Sequence, residues 1–295
     1  AISDGDYKRA IEAARNLEEE PTRVSGLFTH LALLRAGQAG DSLFTFPISD
    51  AVYNTPRADI ALRLLCSRGL NFGFGRVNDA YRWCMEDWVE YGPKVEYLKY
   101  MTKCALLNGE NELARRYLRM LSRTMFHKDW AEKYLAYIDN PALIDADPEL
   151  AAVKPLMAYK NNIGGDSSLI EAYITTSIAG LAGGPPELVE LSMQFNMVQK
   201  NIAEFWPRFM LYARTHERLP KHYQEAAILF SALEGAVDWH QFRIDPAVAE
   251  RFSRFMAMAQ RNANLSDSQN AELFAPEFGD TYWYYYFFIK GLKTT

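Results

Sequence analysis

The sequence predicts an all-α protein built as an array of helix-turn-helix pairs. Three observations carry this reading. Glycines recur at Gly5, Gly40, Gly75 and Gly109, spaced 35, 35 and 34 residues apart, and a period near 34 residues marks stacked helical pairs. Alanine follows five residues later at Ala10, Ala80 and Ala114. Glycine lets the chain turn sharply, and alanine adds almost no bulk where two helices cross. Prolines suited to the first turn of a helix keep a similar beat at Pro21, Pro56 and Pro93. No strand-like alternation of useful length interrupts the pattern.

The elements follow in order. Asp6 to Glu20 reads as a helix with Ala10, Ala14 and Leu17 on one face. Pro21 opens the next, which runs through Phe28, Leu31 and Leu34 to Gly37. After Gly40, Pro47 predicts a short or distorted helix and a loop to about Thr55. Asn78 reads as the cap of a helix carrying Ala80, Cys84 and Asp87. Leu98, Met101 and Ala105 form one helix face, and Ala114, Leu118 and Leu121 form the next after Gly109. Lys128 to Ile138 adds a helix with Trp130, Tyr134 and Tyr137. From Asp139 to Pro155 the pattern loosens into a connector. Further helices are expected at Ser168–Leu181, Pro186–Asn201, Ile202–Thr215, Pro220–Glu234 and Pro246–Asn262. The end of the chain, Tyr282 to Ile289, is aromatic or aliphatic throughout. So apolar a helix must be buried on several sides. It reads as a cap on the second half, or as a surface for self-association through Tyr282–Phe288. About 12–14 helices fit this spacing, in two parts, 1–140 and 141–295.

Composition excludes several classes. A net charge of -5 with scattered Lys and Arg argues against nucleic acid as the main partner. Three cysteines, Cys66, Cys84 and Cys104, sit in apolar helical patterns and read as small buried hydrophobes. No stretch of 18 or more apolar residues is present. The chain opens inside a repeat, with Gly5 already at the inter-helix turn, so a longer protein with missing upstream sequence is expected.

Gly109, Ala114 and Leu118 resemble the tetratricopeptide repeat, as do Gly75, Ala80 and Cys84, and Gly5, Ala10 and Ala14. The likeness covers about the first 140 residues and lacks that family's first-helix Trp. It implies a superhelix with a concave groove that holds a protein or peptide partner. First-helix residues Arg63, Lys94, Tyr97, Tyr100 and Lys103 are the groove candidates. The aromatic tail, the stretch Leu219–Ala226 and the repeats together resemble a family of uncharacterised proteins from Bacteroidetes. That likeness implies a soluble, extracytoplasmic C-terminal half tethered to a membrane only through upstream spans, with no established activity.

The best polar constellation is His216, Glu217, His222, Tyr223 and Glu225. His222 and Glu225 share one helix face. They and His216 mark the alternative function, an accessory or catalytic domain with a small-molecule pocket between the two halves. Pro220 interrupts any H-E-x-x-H pattern, so no metal is expected there. Asp238, Trp239 and His240 form a second polar-aromatic spot. Phosphate-loop, dinucleotide and nucleophile-elbow motifs are absent, and no cofactor is expected. The primary expectation is a non-catalytic binding scaffold.

Overall fold

The computed structural model describes residues 5–17, 23–46, 60–161, 177–181 and 183–289, with positions 2 and 163, and gives only backbone at residue 23 and residues 60–66. Among the described residues every regular element is helical: sixteen α-helices and three short 3-10 segments. The chain divides into two compact units, Ala1–Pro56 with Ile178–Thr295, and Arg57–Ser177. The division at residue 140 is therefore corrected. The three N-terminal helices fall in one unit with the second half of the chain, and polar contacts of the second and third run there, from His30 to Gln194 and from Asp41 to Lys221.

The continuous unit, Arg57–Ser177, begins with α4 (Ile60–Gly73), α5 (Val77–Tyr91), α6 (Val95–Asn108), α7 (Asn111–Ser122) and α8 (Lys128–Asp139). Each packs on the next, and α4 also touches α6. Helices joined by such short turns run antiparallel. Gly109 ends α6 in the left-handed region at φ 75. Its N–H and that of Glu110 return to the Leu106 and Ala105 carbonyls at 3.1 and 2.8 Å, the closure that glycine favours. Ala105 and Ala114 are fully buried, and Cys84, Met101, Cys104, Leu118 and Leu121 fill the seam around them. Cys84 and Cys104 are thus small core groups, while the Cys66 side chain lies outside the described residues.

The stretch expected as a connector is instead helical. α9 (Ala142–Ala146), α10 (Pro148–Val153) and a 3-10 segment (Lys154–Tyr159) follow one another. Asp147 is the cause. Its carboxylate accepts the Glu149 and Leu150 N–H groups at 3.0 and 3.1 Å ahead of Pro148, a cap and first-turn proline in the right order. Burial pushes its pKa up, but the Leu150 N–H, the Tyr137 hydroxyl and Lys133 outweigh that and hold it below the usual range.

The discontinuous unit holds α1 (Tyr7–Arg15), α2 (Arg23–Arg35) and α3 (Ala39–Ser42), then α11 (Pro186–Val198), α12 (Ile202–Thr215), α13 (Lys221–Glu234), α14 (Pro246–Arg261), α15 (Asp267–Phe278) and α16 (Tyr282–Phe288). Helix α13 is its centre, packed by α3, α14 and α16. The start signals at Asp245 and Ser266 form caps, the latter a reciprocal capping box with Gln269. The tail is a capping helix: Tyr282, Trp283 and Tyr285 are buried, and of its rings Phe287 is the one well exposed. Their hydroxyl and indole groups are spent inside the unit, on Met197, Val198 and Glu225 carbonyls. Tyr284, Tyr286 and Phe288 stay half-buried.

Three local expectations are corrected. Leu17 lies beyond the end of α1 and is exposed rather than on its apolar face. Asn78 is not a cap, since Arg76 holds that position; its side chain bonds Asn108 and Asn161 instead. Gly40 is not a turn. Gly37 makes the left-handed turn at φ 66, and Gly40 lies buried within α3. A Cβ on it would stand 2.6 Å from Pro220 Cβ and 2.8 Å from the Tyr223 ring. Pro21, Pro47, Pro56 and most of Ser168–Leu181 fall outside the described residues.

Two glycine substitutions separate these roles. Gly40→Ala forces overpacking against α13 and lowers unfolding free energy by about 2–3 kcal/mol. Gly109→Ala meets open space and costs about 1 kcal/mol of left-handed strain. Urea unfolding of both variants checks the order; a silent Gly40→Ala refutes the close approach.

Candidate functional site

Of the groove candidates, three are core residues. Tyr97, Tyr100 and Lys103 are buried at 3%, 9% and 7% exposure. Tyr97 receives the Arg68 guanidinium over its ring at 5.0 Å. Tyr100 meets Phe72 edge to face at 5.5 Å. The Lys103 ammonium lies over both Phe72 and Tyr100 and pairs with Glu149 at 2.5 Å. The groove assignment is corrected accordingly: amphipathic side chains on α6 fill the helix seam. Lys94 is exposed at the start of α6, and the Arg63 side chain lies outside the described residues.

The alternative pocket also changes. His222 and Glu225 are buried at 0% and 1% within the discontinuous unit. His222 Nδ1 lies 2.9 Å from Glu225 Oε2. The Phe44 N–H donates to His222 Nε2 at 3.3 Å, so the ring proton sits on Nδ1 and is given to Glu225. The one lone pair that a base or a metal ligand would use is occupied by backbone. The same Glu225 oxygen accepts the Tyr282 N–H at 2.8 Å. His216 is elsewhere, exposed and stacked on Tyr212 with ring centres 3.8 Å apart. Asp238 and His240 pair at 2.7 Å on the surface beside Trp239. Among the described residues no group of three or more His, Cys, Asp or Glu is placed to hold a metal.

A second buried polar chain lies nearby. His30 Nε2 donates to Gln194 Oε1 at 2.7 Å, Gln194 Nε2 to the Tyr223 oxygen at 2.6 Å, and Tyr223 to Glu190 at 2.7 Å. Burial lowers the His30 pKa to about 4, against a smaller raising effect of the Gln194 bond. Burial raises that of Glu190, and the Tyr223 bond opposes it. The chain fixes α2, α11 and α13 together.

What opens to solvent is a cleft of about 650 Å³. Its walls are the chain entering α13 (Glu217–Lys221), the chain entering α14 (Arg243–Val248), Arg251 of α14 and Asp41 of α3. Proline-initiated helix starts place both walls. Gln224 staples them: its Nε2 donates to the Leu219 carbonyl and its Oε1 accepts the Asp245 N–H, both at 2.7 Å. Asp41 accepts the Lys221 N–H at 2.8 Å and pairs with Arg218 at 2.9 Å. Lys221 and Arg251 converge on Asp280 at 2.6 and 2.5 Å. Burial opposes ionisation there, but these two cations outweigh it and hold the Asp280 pKa at about 2. Arg243 and Glu217 are exposed at the rim and make no ion pair among the described residues. Both also border a smaller hollow of about 290 Å³ that contains His216 and Phe242. The larger cleft has no Ser, Thr, Cys, His or Tyr in its lining, which is mainly charged and aliphatic.

Sequence reasoning missed Asp41, Arg218, Lys221, Arg243 and Arg251. The proline-led starts at Pro220 and Asp245-Pro246 marked two of the walls; nothing in sequence joined Asp41 to them.

These features define an all-α protein with a charged, buttressed cleft on one unit. The chain belongs to a family of unknown function, DUF6057, whose match spans residues 1–289. No curated protein and no solved structure matches it.

Two outcomes test the buried groups. His222→Phe strands the Phe44 N–H and the Glu225 carboxyl, so it lowers stability by about 1–3 kcal/mol; retained stability in chemical denaturation refutes the clasp. For His30, folding holds the ring neutral while the unfolded ring protonates below its ordinary 6.5. Its contribution is complete above that pH and is lost as pH falls towards 4, a fall of about 3 kcal/mol in all. The difference in stability between the protein and its His30→Gln variant should shrink over that window, read from unfolding curves at each pH.

Proposed function

We propose that this chain is a non-catalytic module that binds a protein or peptide, and that the cleft entering α13 and α14 holds the bound segment. The observation that carries this is the pair of unpartnered rim charges, Arg243 and Glu217, above walls whose other charges are already fixed. A volume of about 650 Å³ lies within the range of ordinary ligand sites. Its lining suits an extended polar segment carrying one acidic and one basic group. Preorganised side chains reduce the ordering cost of binding. The stacked pairs α4 to α8 support a helical-repeat reading of tetratricopeptide type for the continuous unit.

The larger context is a bacterial, membrane-anchored protein of the Bacteroidetes type that the tail and Leu219–Ala226 resemble. No helix among the described residues is long and apolar enough to cross a membrane, so in this reading the anchor lies in another part of the protein.

A photo-crosslinking amino acid placed at position 243 or 217 of the full-length protein in its native cell should capture a defined peptide or protein. The same group at exposed Val89 is the control. The charge reversals Arg243→Glu and Glu217→Lys should each reduce capture about tenfold, the loss of one charge-assisted contact. Equal capture at position 89, or capture unchanged by both reversals, removes the cleft from the reading.

A further inference from the structure

We propose that the end of α7 and the turn that follows it dock on an anionic lipid bilayer. The tip of that turn is Met125–Phe126, two residues 86% and 84% exposed. Adjacent large apolar residues that both face water stand out on a protein whose other rings are mostly enclosed. Beside the tip, Arg116, Arg119 and Arg123 recur at helical spacing. The inner face of α7 is Ala114, Tyr117, Leu118 and Leu121, all buried, so the three arginines project outward with half-exposed Met120.

These arginines differ from their neighbours. Arg68, Arg76, Arg82 and Arg115 each pair with a carboxylate in the same unit. Arg116, Arg119 and Arg123 make no ion pair among the described residues. The nearest acids in sequence are Glu110 at the N-cap of α7, Glu112, held by Arg115, and Asp129 in the first turn of α8. A chain of net charge -5 thus carries a local cationic face around an apolar point.

The combination selects the partner. An arginine surface alone would fit any polyanion, and the apolar tip would then have no role. A protein partner would need a broad complementary interface, on the order of 800 Å² a side, which two protruding residues do not supply. A bilayer needs no shape match. The Met125 and Phe126 side chains enter the headgroup boundary and the arginines lie against anionic lipid.

The test uses the full chain and sedimentation with vesicles of phosphatidylcholine, with or without phosphatidylglycerol. Expected is at least about tenfold stronger binding to the anionic vesicles, weakened by salt. The double variant Met125→Ser, Phe126→Ser and the triple variant Arg116→Gln, Arg119→Gln, Arg123→Gln should each lose most of that binding. All five positions are exposed, and circular dichroism checks that both variants remain helical. No preference for anionic vesicles overturns the proposal. So does unchanged binding by the Met125→Ser, Phe126→Ser variant, which would leave a general polyanion surface. Tighter binding to a single-stranded oligonucleotide than to the vesicles overturns it as well.

Discussion

One carboxylate holds the discontinuous unit together. Glu225 Oε2 accepts both the proton of His222 and the Tyr282 N–H, and the Glu225 carbonyl accepts the Trp283 indole N–H. His222 in turn accepts the Phe44 N–H across 178 positions of sequence. Two remote segments are thereby fixed to one turn of α13. All of these groups are buried, where an unmet donor or acceptor costs more than a made bond gains. The clasp therefore acts as a condition on packing: the N-terminal segment and the tail fit α13 in one register or leave polar atoms stranded.

The same turn sets the cleft. Lys221 precedes His222, and its backbone and ammonium groups point to Asp41 and Asp280. The clasp inside and the ion pairs outside are therefore positioned by one helix start. Salt bridges as exposed as Arg218–Asp41 contribute little stability, with Arg218 at 76% side-chain exposure. Their effect is geometric: with the pairs to Asp280, they hold Arg218, Lys221 and Arg251 in place around the cleft.

Local features of the fold were legible in the sequence, and distant ones were not. Gly109 with Ala114 and Leu118 read correctly because a left-handed turn and a close crossing each demand a particular small residue. The starts of α14 and α15 read correctly because Asp-Pro and Ser-x-x-Gln satisfy the first free N–H groups. Gly40 misled because glycine also serves close packing without turning, and only the approach of Pro220 shows which role applies. Tyr97, Tyr100 and Lys103 misled because an aromatic ring or a long aliphatic stem suits a core as well as a groove. Of the candidate cleft, the two proline-led starts were visible. Asp41 was not, since no local rule links a short helix near the N-terminus to a turn 180 residues later.

That separation in sequence bears on how the molecule comes together. Helices α4 to α8 contact mainly their immediate neighbours, so the continuous unit closes small loops at little entropic cost. The discontinuous unit brings α1 to α3 to α11 to α16 across that whole insertion. Its reward comes only once Phe44, His222, Glu225 and Tyr282 meet. The cleft draws its walls from α3, α13 and α14, so it exists only after this closure. A cleft made this way depends on the long-range assembly of its unit, whereas the outer face of α7 is complete as soon as its own helix has packed.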